Sequence, residues 1–264
     1  MKPLMSAMSP HEVRQLIRKG QITGPTAGLA ASYAQANLVI LKKESAFDFL
    51  LFCQRNQKPC PVLDVTEAGS PVPAIAAPGA DIRTDFPKYR IYQHGVLTEE
   101  AADITPYWKD DFVGFLIGCS FSFEQALINH QIPVRHIEEG LNVPMYKTDI
   151  DCVPAGPFSG KMVVSMRPVP ERQAVRAAQV TSRFPAVHGG PVHIGNPKGI
   201  GISDLDKPNF GDAVTVREGE VPVFWACGVT PQAVVMEAKP DIVITHSPGH
   251  MLITDIQNES LAIL

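Results

Sequence analysis

Phe115-Leu116-Ile117-Gly118-Cys119-Ser120-Phe121-Ser122-Phe123-Glu124 is the stretch on which the fold turns. Its apolar start, from Phe112 to Ile117, reads as a buried strand. The run stops at Gly118-Cys119, and Ser122 is placed to begin a helix reaching Gln131. Pro133 to Ile137 reads as a further strand, so the unit is strand–helix–strand and predicts a parallel sheet.

A second stretch repeats the pattern. Val223-Phe224-Trp225-Ala226-Cys227-Gly228-Val229-Thr230-Pro231-Gln232 is again a buried strand, a small residue, a cysteine, and a hydroxyl residue three positions on. A helix from Pro231 to Ala238 and a strand from Ile242 to Thr245 follow. Both cysteines therefore fall at a strand's carboxyl end, just before a helix start. Ligands of open α/β sheets gather at that edge, and free helical N–H groups there favour anions and thiolates.

Outward from these two units, Ser9-Pro10-His11-Glu12 has the form of a capping box at a helix that Gly20 ends. Thr26 to Leu41 reads as a helix with a small-residue start, and Ser45 opens a third that ends at Pro59-Cys60-Pro61. Tyr89 to Tyr92 and Val96 to Thr98, joined by Gln93-His94-Gly95, form a hairpin pattern. Between 145 and 218 short strands (Met162 to Met166, Pro191 to Ile194, Ala213 to Val216) surround one helix opened by Pro170. The expected fold class is α/β. A lobe with a parallel or mixed sheet is built from residues 1–144 and 219–264, with a smaller two-layer α+β lobe of 145–218 inserted in it.

Composition bounds the function. The chain has 264 residues with 23 basic and 27 acidic side chains, a net charge of −4, which excludes a basic nucleic-acid footprint. Mean hydropathy is +0.02 and 45% of residues are hydrophobic, which excludes disorder as the main state. No apolar run reaches membrane-spanning length. Five cysteines, odd in number and without a C-x-x-C pair, read as reduced thiols and a cytoplasmic location. No P-loop, dinucleotide fingerprint or nucleophile elbow is present, and no cofactor is expected. The expected partner is a small acidic substrate, with neither nucleic acid nor membrane; a homo-oligomer is compatible with a chain of this size.

Cys119, Cys227, His246 and His250 are the catalytic candidates. The cysteines are candidate bases or nucleophiles, and the histidines, which follow a strand end, candidate proton carriers. Ser120, Ser122, Gly228 and Thr230 flank the cysteines and are read as substrate-binding. Arg183 is a candidate carboxylate clamp, although it also suits the end of its helix. His188 lies in a glycine-rich loop. His188, His193, His246 and His250 together leave a histidine-ligated metal hydrolase open as an alternative, and a non-catalytic binder of small acids is another.

Many stretches carry a family likeness. They include Gly24-Pro25-Thr26-Ala27-Gly28, Ala46-Phe47-Asp48-Phe49-Leu50-Leu51-Phe52-Cys53-Gln54-Arg55-Asn56, Asp81-Ile82-Arg83-Thr84-Asp85 and both cysteine units. Asn142-Val143-Pro144-Met145-Tyr146, Pro154-Ala155-Gly156-Pro157-Phe158, Ser182-Arg183-Phe184-Pro185-Ala186-Val187-His188-Gly189 and Thr245-His246-Ser247-Pro248-Gly249-His250-Met251 complete the set. Together they resemble the D-glutamate cyclase family. The resemblance implies a hydro-lyase that converts D-glutamate to 5-oxo-D-proline and water, on a two-part α/β and α+β fold; it carries over no catalytic residues. The paired cysteines also resemble the layout of aspartate/glutamate racemases, by analogy of arrangement alone.

Overall fold

A computed structural model describes residues 5–263. The chain begins with α1 (Pro10–Arg18), β1 (Tyr33–Lys42), α2 (Lys43–Arg55), β2 (Val62–Val65), β3 (Tyr89–Gln93), β4 (Val96–Ala101) and β5 (Phe112–Gly118). It continues through α3 (Phe121–Asn129), α4 (Arg135–Glu139), β6 (Met145–Asp151), β7 (Lys161–Pro170), α5 (Ala174–Ser182) and β8 (His193–Ile194). The last elements are β9 (Glu220–Ala226), α6 (Val229–Ala238), β10 (Val243–His246) and β11 (Leu252–Gln257).

Two sheets result. The first runs β2-β5-β1-β10-β3-β4, with β11 also on β1; the second runs β6-β7-β9-β8. Every strand pair in both is antiparallel. The class is mixed α and β, as the sequence implied, but the expected parallel sheet is not formed. The reason lies in where the helices lead. β5 belongs to the first sheet, and the chain leaving it through α3 and α4 enters β6 of the second. β9 belongs to the second sheet, and α6 returns the chain to β10 of the first. Each helix crosses between sheets, so the strand–helix–strand pattern never closes a parallel pair within one sheet.

Three local expectations are also corrected. Thr26 to Leu41 is not a helix: residues 33–42 form β1, the centre of the first sheet. Its run is buried on both faces, Val39 and Leu41 in one core cluster and Ala36, Leu38 and Ile40 in another. A strand covered on both sides loses its period-two signal and reads like a buried helix. Pro133 to Ile137 is not a strand but leads into α4, whose end is set by Gly140 in the left-handed region. Ala213 to Val216 pairs with nothing as a strand. The hairpin forms as expected, Gln93 facing Val96 across His94 and Gly95, both at positive φ. The capping box at Ser9 and Glu12 is present with both reciprocal bonds.

The second sheet is also buried on both faces. Val169, Val223 and Trp225 pack with Phe123, Leu127 and Val180 on one side, and Val164, Met166 and Phe224 with Tyr146, Ile200 and Ile202 on the other. Trp225 is wholly buried, and its indole donates to Thr181 Oγ1 at 3.0 Å, so its polar atom is satisfied inside the core. Among the described residues no helix is long and apolar enough to cross a membrane.

Candidate functional site

The two cysteine units are structural counterparts. Ser122 N–H donates to the Cys119 carbonyl at 3.1 Å, and Thr230 N–H to the Cys227 carbonyl at 2.9 Å. Ser122 Oγ accepts from Gln35 N–H at 3.1 Å, while Thr230 Oγ1 accepts from Val163 N–H at 3.0 Å. Gln35 and Val163 sit on β1 and β7, the strands paired with β5 and β9, one position beyond Ala36↔Gly118 and Val164↔Ala226. The same hydroxyl performs the same backbone bond in each half. Ser122 and Thr230 are thereby committed to pinning each helix start to its neighbouring strand.

Each helix start meets the other half of the molecule. A Cβ built on Gly228 would lie 2.0 Å from Asn37 Nδ2, so only glycine lets α6 approach β1 this closely. The Asn37 amide donates to the carbonyls of Gly118 at 2.9 Å and Ile117 at 3.2 Å. On the reciprocal side, Arg167 of β7 reaches Ser120 Oγ at 3.0 Å and Ser165 Oγ at 3.1 Å. By register, Asn37 and Ser165 are equivalent positions on the two central strands.

Cys119 and Cys227 come together in this crossing. Each interacts electrostatically with Arg167, and each sulfur takes an N–H from its own helix start, Phe121 and Val229 respectively. Cys119 also feels Cys227 directly. Burial outweighs these stabilising contacts. It pushes the Cys227 thiol up to about 11 and the Cys119 thiol higher still, so both rest as neutral thiols at pH 7. Thiolates, which the helix starts alone suggest, do not persist in this closed arrangement.

Arg167, wholly buried, spans the junction. Its guanidinium forms a short bond to Glu124 Oε1 and lies over the rings of Phe123 and Trp225, 5.3 and 5.4 Å from their centroids. His136 Nε2 stands 3.2 Å from the same carboxylate oxygen, and Phe121 stacks on the His136 ring. Burial pushes the Glu124 carboxyl up, but His136 and Arg167 together outweigh it and hold Glu124 at about 2. Glu124 is therefore a fixed negative charge beside the thiols and Arg167 its counter-charge.

The remaining candidates have partners of their own. His246 is fully buried at the end of β10, where Nδ1 accepts from Leu38 N–H at 3.0 Å and lies 2.7 Å from Gln232 Nε2 of α6. Burial drives it down to about 3, which keeps the imidazole neutral. His250 is in the following turn, with Nδ1 on the Pro248 carbonyl at 2.9 Å. His188 is buried behind Gly118, Nδ1 on the Lys58 carbonyl at 2.9 Å, and burial lowers it to about 4. Arg183 bonds the Ile263 carbonyl at 3.3 Å at the surface, apart from the thiols. Among the described residues no group of three or more His, Cys, Asp or Glu side chains is arranged to hold a metal ion, so the four late histidines do not converge.

Sequence reasoning missed Asn37, Glu124, Arg167 and His136. Asn37 was hidden by the helix reading of its strand. Arg167 did carry a signal: a lone charge inside the apolar run Met162-Val163-Val164-Ser165-Met166 and Val169 demands a buried partner, and Glu124 in the first turn of α3 supplies it.

The sequence pattern of the D-glutamate cyclase family matches residues 113–255, from β5 to β11. A protein of Bacillus velezensis with the name "Putative hydro-lyase" is 88% identical over 264 residues, covering all of both chains. A Bacillus subtilis protein of the same description is 80% identical over 257 residues, 97% of this chain and all of that one. One from Geobacillus kaustophilus is 67% identical over 257 residues, 97% of this chain and 98% of its own. A solved structure, a nitrogen repressor-like protein MJ0159 from Methanococcus jannaschii, aligns with 93% of this chain and 98% of its own at TM-score 0.39 and 10% identity. That likeness is too distant to bear on fold or function. The close relatives support a function of the hydro-lyase kind. The chain belongs to the D-glutamate cyclase family.

Proposed function

We propose that this protein is a hydro-lyase that closes D-glutamate, or a closely related acidic amino acid, to its lactam with release of water, and that the Cys119–Cys227 junction is where this occurs. The supporting observation is the pairing of two thiols at two helix starts, brought together from opposite halves of the molecule around Arg167.

The chemistry sets the requirements. The substrate amine attacks the γ-carboxyl carbon and forms a C–N bond; a C–O bond breaks, and the amine's proton and the hydroxyl leave as water. One group must take a proton from nitrogen and another must give one to the departing oxygen. Two thiols at one junction divide these needs, one accepting while the other donates. Each thiol passes its own proton to the γ-carboxylate oxygen that leaves as water and is refilled from the amine, so no proton is left over. The N–H groups of Phe121 and Val229 and the charge of Arg167 are the groups that stabilise a thiolate formed during turnover. Ser120 Oγ, held by Arg167, stands beside Cys119 to bond a carboxyl oxygen.

Proton NMR of the protein with D- and with L-glutamate tests the reaction. The reading expects 5-oxoproline from the D form. Folded protein that forms no lactam from either enantiomer overturns the substrate assignment.

A further inference from the structure

A groove of about 670 Å³ lies beside the 185–191 segment. Its walls include Gln57, Lys58, Ala178, Ser182, Pro185 and Ile194, and its floor is His188-Gly189-Gly190. None of the thiol-pair residues lines it. We propose that this groove is a binding site for a small carboxylate, with Lys58 Nζ as its counter-charge; the inference is independent of the reaction assigned to the thiols.

Four observations carry it. Lys58 forms no ion pair or hydrogen bond through its ammonium among the described residues, although the protein as a whole carries more acidic than basic side chains. No acidic residue lines the groove, so the lysine charge is locally uncompensated. The ammonium stands near the glycine pair: a Cβ on Gly189 would lie 3.9 Å from Lys58 Nζ, and Gly189, at φ +64, holds a left-handed turn suited to glycine. Ser182 Oγ occupies the matching place over the next residue, where a Cβ on Gly190 would approach to 2.4 Å. Two successive glycines thus leave room for both side chains, the Ser182 hydroxyl donating to the Ala178 carbonyl at 2.7 Å. Lys58 is exposed, and desolvation by the groove wall lowers its pKa.

The chemistry favours a carboxylate over a phosphate. There is one cation and no arginine fork, and Ala178, Pro185, Pro191 and Ile194 offer apolar contact for a carbon skeleton.

Isothermal titration of the full-length protein with glutarate, glutaramide and inorganic phosphate tests the site. Glutarate has no amine and cannot cyclise, so its binding is read apart from turnover. The expected result is binding of glutarate but not of its neutral diamide. Lys58→Met should weaken it at least tenfold and Lys58→Arg should largely preserve it. The Lys58 ammonium makes no internal bond, so an unchanged melting temperature confirms that Lys58→Met is folded. Glutarate can also occupy the thiol junction, so the groove is read as the binding that Lys58→Met removes and that a Cys119→Ala/Cys227→Ala background retains. Unchanged affinity in Lys58→Met, or loss in the cysteine background alone, overturns the proposal, as does absence of binding. Tighter, Lys58-dependent binding of phosphate overturns the carboxylate assignment.

Discussion

Replacing Gly228 by alanine tests whether the two halves are joined through Asn37. The new Cβ would stand 2.0 Å from Asn37 Nδ2 and 2.5 Å from its Cγ, so the amide must swing away. That breaks its bonds to the Gly118 and Ile117 carbonyls. Two lost hydrogen bonds at about 1 kcal/mol each, plus stranded buried polar groups, cost about 2–4 kcal/mol. Gly228 has φ −66, which alanine adopts freely, so restricting the unfolded chain returns about 0.4–1 kcal/mol. The net loss is about 1–3.5 kcal/mol, or roughly 2–12 °C in Tm. Asn37→Ala loses the same bonds but leaves space, at about 1–3 kcal/mol. In the double variant the clash has no partner, so it should be about 0.4–1 kcal/mol more stable than Asn37→Ala alone, and the cycle should show coupling of about 2–4 kcal/mol. Urea unfolding of all four proteins followed by circular dichroism measures this. A Gly228→Ala protein within about 0.5 kcal/mol of the parent, or strict additivity in the double variant, would refute the reasoning.

Three further outcomes follow from the same geometry. His188 and His246 are held neutral by burial at about 4 and about 3, below the ordinary 6.5, so the unfolded chain takes up protons first. Their contribution is complete above pH 6.5 and is lost as pH falls toward those values, by about 1.4 kcal/mol per pH unit for each histidine; urea midpoints at pH 7, 6 and 5 should show it, with a shallower slope in His188→Gln. Arg167→Met strands the buried Glu124 charge and should cost about 3–5 kcal/mol, much of it regained in Arg167→Met/Glu124→Met; equal stability of the single and double variants in thermal melts would contradict a buried pair. Cys227, at about 11, should resist alkylation by iodoacetamide at pH 8 and react at a rate rising toward pH 11, read by mass spectrometry; rapid labelling of the native protein at pH 7 would show the thiol to be exposed and ionised.

Much of the junction was legible in the chain. The two strand–cysteine–helix units were found from residue types alone, and their hydroxyls, Ser122 and Thr230, prove to make matching bonds. The direction of the sheets was not legible. Pattern identifies a strand and a helix, but not which of two sheets receives the next strand, and both helices change sheet. The buried thiol values were equally hidden, because a helix start favours a thiolate locally while burial depends on the whole fold. Asn37 could not be placed while its strand, apolar on both faces, read as a helix.

The most direct test of the central claim is the rate at which D-glutamate loses water in Cys119→Ala and Cys227→Ala compared with the parent protein. Both side chains are small and buried, so circular dichroism must first show that each variant is folded. The account expects lactam formation by the parent and at least a hundredfold loss in each variant, in line with removal of a proton-transfer group. Parent-like rates in both folded variants would contradict it.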